Sequence, residues 1–344
     1  MVSGKRWSVL SDGAKPTEDV YVLASAAPRL DARVRRVTAS RSKALAWWQR
    51  WRYLSRLNGH HLIVCRSLSA TWIEWLERYR HRLGSIVYLI DDDIPAAAAD
   101  SQLPPAYRER MASIAALQPR LFALADTVVA CSPQLKRCLA TAHTNVQVLT
   151  PPLLAPLPSL AHFESAPSRE TPWRIGFHGT RAHLSDLEHI ALALVELQTG
   201  RRDTELEIML GSYTPSALAK LPRVETPKPL GWPAFQTYQR SRRLHIGLSP
   251  LWGSPFNAGK SFIKFLDIAA MGGVGVYSNR YPYTEVVRHG ENGLLVEDDA
   301  NQWHAAISYL LDNPRDAARM AHQASIDASN IGDPARAADF WANF

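Results

Sequence analysis

The sequence lacks several features that mark common classes of protein. Its 344 residues include only three cysteines, Cys65, Cys131 and Cys138, an odd number without the spacing of zinc ligands. No apolar run approaches the length of about 20 residues that a membrane-spanning helix needs. Residues 1–16 have no apolar stretch of the kind that secretory signals carry. We therefore expect a protein of the reducing cytoplasm without a membrane span.

Motifs of several enzyme classes are also missing. There is no G-x-S-x-G or H-E-x-x-H motif, and no G-x-G-x-x-G follows a predicted strand. Residues 259–261 read Gly-Lys-Ser, as at the end of a P-loop, but position 254 is Ser where that motif requires glycine. The sequence therefore argues against an α/β-type serine hydrolase, a zinc protease, a dinucleotide oxidoreductase and a P-loop enzyme.

Positive charge is in excess, with 39 Lys and Arg residues against 32 Asp and Glu residues and a net charge of +7. This surplus predicts an anionic partner, for which nucleic acid, an acidic membrane surface and nucleotide sugars all qualify. Hydrophobic residues make up 46% of the chain, as in an ordinary globular protein. At this length we expect two domains, each with its own core.

The most basic stretch spans residues 29–57, in which nine Lys and Arg residues stand against Asp31 alone. Helical spacing over residues 43–57 places three tryptophans and a leucine on one face: Trp47, Trp48, Trp51 and Leu54. Three interpretations fit: a helix whose aromatic face covers the core, a helix lying on a membrane surface, and a nucleic-acid-binding segment. Because no pattern of a nucleic-acid-binding module accompanies it, we predict no nucleic-acid partner.

Short apolar runs of strand type alternate with helical periodicity along the chain, which predicts parallel sheets of α/β type. Residues 1–16 read as an irregular lead-in, and the first strand is predicted at residues 19–24. Further strands are predicted at residues 61–66, 85–90, 126–131, 146–149, 173–178, 205–211, 244–251 and 274–278. Residues 151–172 have the Pro-, Ser- and Ala-rich composition of a linker. The predicted domains therefore span residues 1–150 and 173–330, followed by a terminal helix over residues 331–344.

The most informative stretch is residues 244–278, which read as strand, glycine-containing loop, helix and strand. Such a unit presents the free amides of a helix N-terminus at the carboxyl edge of a sheet, where anions bind. If the helix begins at Lys260, then Lys260, Lys264 and Asp267 share one face, and about 10 Å separates the first from the last. Lys260 and Ser261 would then hold phosphate oxygens and Asp267 a ribose. A solvated surface helix explains the same spacing.

A cluster of carboxylates, Asp91, Asp92 and Asp93, ends the strand predicted at residues 85–90. The carboxyl ends of parallel strands line the crevice in which ligands bind. We therefore predict a loop that faces the cleft, with Asp92 as its functional carboxylate. A plain strand end accounts for the same residues.

A second polar turn follows the strand predicted at residues 173–178. It contains one glycine, one threonine and three charged or titratable residues: Gly179, Thr180, Arg181, His183 and Asp186. A glycine here would allow close approach of a ligand, and the arginine would reach a diphosphate. Taken alone, the turn also fits a purely structural role.

Together these segments resemble the nucleotide-sugar site of family 4 glycosyltransferases of GT-B fold, in particular the bacterial polysaccharide-biosynthesis branch. The pattern N-x-x-K-S-x-x-K-F-x-E-x-x-A-x-G of that branch is matched by Asn257, Lys260, Ser261, Lys264, Phe265, Asp267, Ala270 and Gly272. Its G-T-x-x-H-x-x-D element is matched by Gly179, Thr180, His183 and Asp186. Two positions depart from the family: the ribose-binding Glu is Asp267, and the first Glu of the E-x7-E pair is Gly259.

The resemblance implies a GT-B architecture, with two Rossmann-like α/β domains facing a central cleft and a terminal helix that crosses back to the first. It implies a retaining glycosyltransferase without metal or other cofactor, which moves a sugar from a nucleoside-diphosphate sugar to a polysaccharide or lipid-linked saccharide acceptor. Catalysis would use Lys260, Asp92 and His183. The donor would be bound by Gly179, Thr180, Arg181, Asn257, Lys260, Ser261, Lys264 and Asp267.

Two further expectations concern partners. The protein would work in the cytoplasm, with residues 43–57 as the contact to the inner face of the membrane if the membrane-surface interpretation holds. The alternative to an enzyme is a non-catalytic subunit that binds a sugar nucleotide or an acceptor within a membrane-associated glycan assembly.

Overall fold

Two parallel sheets of six strands, one in each half of the chain, organise the structure, a computed structural model that describes residues 6–40, 42–56 and 58–344. The first sheet consists of β1 (Arg6–Ser11), β2 (Arg33–Thr38), β3 (His61–Cys65), β4 (Ile86–Ile90), β5 (Thr127–Ala130) and β6 (Val146–Val148). Its strand order is β2-β1-β3-β4-β5-β6. All five residues of β4 are buried, as expected for a parallel strand covered on both faces.

The second sheet consists of β7 (Trp173–Phe177), β8 (Thr204–Ile208), β9 (Val224–Glu225), β10 (Ile246–Ser249), β11 (Val274–Ser278) and β12 (Leu294–Val296). Its strand order is β12-β11-β10-β7-β8-β9. In each sheet the order in which successive strands are added reverses once, between β1 and β3 in the first sheet and between β7 and β10 in the second. In open α/β sheets, such reversal points are where ligands bind.

Helices cover the faces of both sheets. Those of the first half are α1 (Lys15–Glu18), α2 (Lys43–Arg56), α3 (Ala70–Tyr79), α4 (Ile94–Ala99), α5 (Pro105–Ala115), α6 (Gln118–Leu124) and α7 (Pro133–Leu139). Those that follow are α8 (Leu184–His189), α9 (Ala191–Gly200), α10 (Ser216–Ala219), α11 (Trp232–Ser241), α12 (Pro255–Ala258), α13 (Ile263–Ala270), α14 (Ala300–Asp312), α15 (Pro314–Ile331) and α16 (Pro334–Ala342).

The predicted start of the first sheet is wrong. Strand β1 lies inside the segment taken for an irregular lead-in, whereas Asp19–Leu23, predicted as a strand, continues α1 as a π-helical turn. Val20, Tyr21 and Val22 are buried there, and a short apolar run fits a buried helical segment as well as a strand. Strand β2 was also missed, because only Val37 of its arginine-rich sequence is buried.

The tryptophans of α2 point to solvent. Trp47, Trp48 and Trp51 are 62%, 59% and 68% exposed. The helix is attached on another side, where the ring centroid of Tyr53 lies 6.2 Å from that of the buried Trp72 on α3. The interpretation in which the aromatic face covers the core is therefore wrong. Arg41 and Leu57, also part of the basic stretch, lie outside the described residues.

The end of the chain packs against the first half. Ala337, Ala338 and Trp341 of α16 belong to the core around the first sheet, and Trp341 Nε1 donates to the carbonyl oxygen of Tyr21 at 2.8 Å. The N–H of Leu153 donates to the carbonyl of Gly332 at 2.7 Å, in the segment that joins the two sheets. Of the described helices, none is long and apolar enough to cross a membrane.

Candidate active site

Segments that follow neighbouring strands of each sheet, at or beside the reversal points, line one crevice. The first half contributes Thr17, Arg66 and Asp92, which follow β1, β3 and β4, and the second half contributes His183 and Lys260, which follow β7 and β10. The chain therefore brings together side chains that are up to 243 positions apart in the sequence, at the place where open α/β sheets bind their ligands.

The crevice holds two adjacent cavities, whose shared wall includes Asp92, His183 and Lys260. The larger, of about 420 Å³, is lined mainly by the first half and falls in the size range of small-molecule sites, about 300–1,000 Å³. The smaller, of about 210 Å³, reaches further residues of the second half, namely Leu251, Ser261, Ile263, Lys264 and Tyr283.

An ion pair joins the two halves across this crevice. Lys260 Nζ lies 2.6 Å from Asp92 Oδ1, and the two side chains are only 18% and 11% exposed. Burial by itself would raise the pKa of Asp92, but the charges of Lys260 and Arg66 hold that pKa well below its usual range. Burial likewise opposes the charge on Lys260, and the pairing with Asp92 raises the pKa of the amine above its ordinary value. Both groups are therefore charged at neutral pH.

Arg66 organises the carboxylates of the first half. Its Nη1 lies 2.7 Å from Asp91 Oδ1 and 2.7 Å from Asp92 Oδ2, and Thr17 Oγ1 donates to Asp91 Oδ2 at 2.6 Å. Arg66 has a φ of 59°, in the left-handed region that costs a residue other than glycine about 1–3 kcal/mol. Strain of this kind persists where the surroundings fix a residue, and here two carboxylates fix the guanidinium.

The third aspartate of the triplet has a different role. Asp93 caps α4, and its side chain accepts a hydrogen bond from the N–H of Ala96 at 3.0 Å. Asp91 and Asp92 therefore face the crevice while Asp93 begins a helix. Over residues 6–40, 42–56 and 58–344, no group of three or more His, Cys, Asp or Glu side chains is placed to hold a metal ion.

A hydrogen-bonded network fixes His183 and the loop that carries Lys260. His183 Nδ1 lies 2.8 Å from Asp186 Oδ2. The other carboxylate oxygen, Asp186 Oδ1, accepts from the N–H of Trp252 at 2.7 Å and from Asn257 Nδ2 at 3.1 Å. Asp186 and Asn257 are themselves buried, at 1% and 7% exposed. Asn257, predicted to bind the donor, thus has its amide nitrogen engaged inside the second half, where it positions the loop.

The helix that was predicted to begin at Lys260 begins three residues later. Pro255 starts the short helix α12, whose first turn is capped by Ser254, and the chain then runs without helical structure through Lys260 and Ser261 to α13 at Ile263. The prediction that Lys260, Lys264 and Asp267 share one helical face is therefore wrong for Lys260. Its side chain instead leaves the loop toward Asp92.

The predicted ribose ligand lies further along α13. Asp267 Oδ1 accepts from Gln239 Nε2 at 2.9 Å, and Asp267 Oδ2 lies 3.4 Å from Lys264 Nζ. Both Lys264 and Asp267 line a small depression of about 10 Å³ beside β7. Because Lys264 also lines the 210 Å³ cavity, this side chain links the depression to the crevice.

The turn after β7 reaches the crevice through part of its predicted residues. Thr180 and His183 line the larger cavity. The guanidinium carbon of Arg181 lies 4.3 Å from the ring centroid of Tyr213, a cation–π contact. A Cβ at Gly179 would lie 2.9 Å from Cε1 of Phe177, so a larger residue there would have to displace that ring.

The position of the missing glutamate is part of the contact between the halves. Ser132 Oγ donates to the carbonyl oxygen of Gly259 at 2.9 Å, and a Cβ on Gly259 would lie 3.2 Å from Cβ of Asp93. A side chain at this position would press on Asp93, which would have to shift by a few tenths of an ångström. The carboxylate nearest to Lys260 comes from Asp92, on the opposite side of the crevice.

Solved structures of similar architecture exist. The chain is similar to HepE of Anabaena, solved in complex with UDP and glucose, with a TM-score of 0.67, 13% identity and 98% of each chain covered. It is also similar to sucrose-phosphate synthase from Thermosynechococcus elongatus, with a TM-score of 0.62, 13% identity and 98% of each chain covered. A third similar structure, with a TM-score of 0.62 and 11% identity, is a glycosyltransferase from Rickettsia africae, where 100% of this chain and 98% of that chain are covered. The chain has the GT-B fold.

The GT-B fold predicted from the sequence is thus confirmed, whereas membership of family 4 stays a prediction. No family model and no curated protein matches the sequence. At identities of 11–13%, the likeness to solved structures concerns the fold, and the function has to be argued from the side chains in the crevice.

Sequence reasoning missed two crevice residues of this GT-B protein. Arg66 and Thr17 hold Asp91 and Asp92 in place, yet neither belongs to a recognised pattern. One signal was present for Arg66, a charged residue directly after a buried apolar strand. No comparable signal marks Thr17, because the strand that precedes it was not predicted.

Proposed function

We propose that the chain is a retaining glycosyltransferase of family 4, which moves a sugar from a nucleoside-diphosphate sugar to a polysaccharide or lipid-linked saccharide acceptor. The observation that carries this proposal is the pairing of Lys260 with Asp92 across the crevice at 2.6 Å. The buried amine of Lys260 follows a strand at the reversal point of the second sheet, where an anionic ligand would bind. In this structure the carboxylate of Asp92, from the other half, is its anionic partner.

The donor would lie along the second half. In the proposed complex, Lys260 and Ser261 bind the diphosphate and Lys264 lies between the diphosphate and the ribose, which hydrogen-bonds Asp267. Gly179, Thr180 and Arg181 would approach the phosphates from the turn after β7. Negative charge develops on the diphosphate as its bond to the sugar breaks, and fixed cations at that position stabilise the transition state. This chemistry would need neither metal nor other cofactor.

The acceptor would lie in the larger cavity, on the side of the first half. Asp92 and His183 belong to the wall that the two cavities share, so both would face the donor and the acceptor. Because Asp186 holds Nδ1 of His183, the other ring nitrogen is left to contact a sugar hydroxyl. In a retaining transfer the acceptor oxygen replaces the diphosphate on the same face of the sugar.

The proposed place of work is the cytoplasm, at the inner face of the membrane. A lipid-linked acceptor would be found there, and the exposed tryptophans of α2, within residues 43–57, support a contact with the lipid surface.

The second candidate is a non-catalytic subunit that binds a sugar nucleotide or an acceptor. One observation favours it: Gly259 stands where the family has the first Glu, and the contact with Asp93 leaves little room for a larger residue. The two candidates differ in chemistry, since only an enzyme hydrolyses the donor slowly when no acceptor is present.

The test combines donor binding with donor turnover. In a thermal-shift panel of UDP, GDP, ADP and dTDP, we expect one diphosphate at about 100 times its Kd to stabilise the protein by about 2.7 kcal/mol. UDP is the first candidate, because HepE was solved with it. The sugar nucleotide of the winning base should then be hydrolysed slowly. Binding without hydrolysis would support the second candidate. Absence of binding would contradict the transferase and a sugar-nucleotide-binding subunit, and would leave only a subunit that binds an acceptor.

A further inference from the structure

Helices α2 and α3 form a surface that the proposed chemistry does not use. Four large apolar side chains of α2 are more than half exposed, namely Leu45, Trp47, Trp48 and Trp51. Scattered surface apolar residues are ordinary, but a contiguous group on one helix marks an interaction site. The indole rings of Trp48 and Trp51 also contact each other, with centroids 6.3 Å apart.

A groove of about 280 Å³ runs between these helices. Its walls combine aromatic and cationic side chains, with Trp47, Arg50 and Trp51 from α2 and Glu74, Trp75 and Arg78 from α3. Arg50 Nη1 donates to the carbonyl oxygen of Thr71 at 3.0 Å, so its charge is held in place by a neutral group. Arg78 lies 5.6 Å from the ring centroid of Tyr79.

The charge around this groove has one dominant sign. Helix α2 carries four Lys and Arg residues and no Asp or Glu, and Glu74 is the acidic residue that lines the groove. Two guanidinium groups in one groove match the phosphate of a lipid headgroup. Tryptophan prefers the boundary between headgroups and acyl chains, because its ring is apolar and its N–H can remain hydrogen-bonded.

We propose that α2 and the α2–α3 groove form a binding site for anionic phospholipid, with Arg50 and Arg78 on the headgroup phosphate and the tryptophans in the interface. The inference rests on the membrane location given in the proposed function, and it is independent of the sugar-transfer chemistry. It specifies anionic phospholipid as the ligand and includes α3 as well as α2 in the binding surface. Both helices begin at the carboxyl edge of the first sheet, so a docked α2 would bring the mouth of the crevice close to lipid-linked substrates.

Other occupants fit the observations less well. A second copy of the chain packing on the same patch would bring two such cationic helices together, and their charges would repel. Single-stranded nucleic acid would stack on the indoles and bind the arginines, but Leu45, which is 54% exposed, would gain nothing from it. A lipid interface accommodates the aliphatic, aromatic and cationic side chains together.

The experiment is flotation of the full-length protein with vesicles. We expect binding to phosphatidylcholine vesicles with about 30% phosphatidylglycerol, and at least tenfold weaker binding to phosphatidylcholine alone, since each cation near an anionic surface contributes about 1 kcal/mol. Binding should fall in about 1 M salt, where the Debye length shortens to about 3 Å. Equal binding to both vesicles, or to neither, would overturn the proposal.

Two variants assign the binding to this surface. Trp47→Ala combined with Trp48→Ala and Trp51→Ala should reduce binding to the anionic vesicles at least tenfold. Arg50→Gln with Arg78→Gln should reduce it by roughly 10–30-fold, at about 1 kcal/mol for each cation. The matched controls lie away from α2 and α3: Leu192→Ala, at a residue 61% exposed, and the exposed pair Arg169→Gln and Arg202→Gln. Both controls should bind like the wild type.

Independent readouts separate this inference from the proposed function. The variants should keep the melting temperature and the nucleotide shift of the wild type, which shows that the fold and the donor site are intact. Unchanged vesicle binding in both sets of variants would overturn the assignment. So would a concentration-dependent dimer that the tryptophan variants abolish, or displacement of the vesicles by single-stranded oligonucleotide at low salt.

Discussion

The carboxyl edges of the two sheets have the same construction but opposite charge. On the first half, Asp91 and Asp92 face the crevice and are held by Arg66. On the second half, Lys260 and Lys264 face it, and Asp92 meets Lys260 directly. The parallel sheet determines where such loops lie, whereas the residues in the loops determine which ligand each edge attracts.

The difference assigns the two proposed substrates. The diphosphate of a sugar nucleotide carries the negative charge, so it belongs with the cations of the second half. The acceptor offers neutral hydroxyl groups, which the carboxylates of the first half can orient. In this structure Lys260 and Asp92 neutralise each other's charge across the crevice. A bound diphosphate would compete with Asp92 for Lys260.

Replacement of the cation is expected to have the largest effect. Lys260→Ala should lower kcat of the proposed donor hydrolysis by about 100- to 1,000-fold, because its contact strengthens as charge develops on the leaving diphosphate. Lys220→Ala, at an exposed lysine of the same half, is the control and should leave kcat unchanged. If kcat is unchanged in Lys260→Ala, the positive charge of Lys260 does not stabilise the leaving diphosphate.

Removal of the arginine on the opposite edge tests how the carboxylates are held. Arg66→Leu should lower the free energy of unfolding by about 3 kcal/mol, because it leaves Asp91 and Asp92 close together without their shared cation. Urea denaturation measures this. Arg80→Leu breaks an exposed pair with Asp126 and should cost less than about 1 kcal/mol. Equal losses in the two variants would mean that Arg66 is an ordinary surface cation.

Replacement of Asp267, the carboxylate beside the lysines of the second half, should affect binding of the nucleoside diphosphate more than turnover. Asp267→Ala should raise the Kd of the preferred nucleoside diphosphate by about tenfold, through the loss of a charge-assisted hydrogen bond to the ribose worth about 1.5 kcal/mol. Calorimetric titration gives the Kd, with Glu188→Ala, at an exposed residue of α8, as the control. An unchanged Kd would place the ribose elsewhere.

The smallest effect is expected within the aspartate triplet itself. Asp93→Ala removes the cap of α4 and should cost about 1 kcal/mol of stability without changing donor hydrolysis. Thermal denaturation and the hydrolysis rate together check this. A large loss of activity would show that Asp93, and not only its two neighbours, serves the crevice.

In the first half β1 and β2 were missed and one predicted strand is helical, whereas each strand predicted at residues 173–178, 205–211, 244–251 and 274–278 of the second half is present. Strands β10 and β11 stand out because each is a short apolar run beside glycine-containing turns, and periodicity identifies them. Strand β1 was missed, and the segment Asp19–Leu23 was mistaken for the first strand. A run of three buried apolar residues is too short for its periodicity to distinguish a strand from a helix. The carbonyl oxygen of Tyr21 accepts a hydrogen bond from Trp341 of α16, a long-range contact that the local sequence pattern does not contain.

The orientation of side chains was the least predictable part of the site. Spacing on an assumed helix placed Lys260 beside Lys264, but Pro255 and the contact at Gly259 redirect the chain before α13 begins. The attraction of Lys260 to Asp92 is a contact between residues 168 positions apart. Likewise, periodicity identified the aromatic face of α2 but not its direction, which follows from the packing of Tyr53 on Trp72.

The most direct test of the charge contrast is calorimetric titration of the preferred nucleoside diphosphate into the wild type, Lys260→Ala and Asp92→Asn. Lys260→Ala should weaken binding by at least tenfold, since a charged hydrogen-bonding partner is lost. Asp92→Asn should strengthen binding several-fold, because the amine is no longer neutralised by a carboxylate. Opposite shifts of this kind would place the diphosphate on Lys260, and an unchanged affinity in both variants would contradict the account.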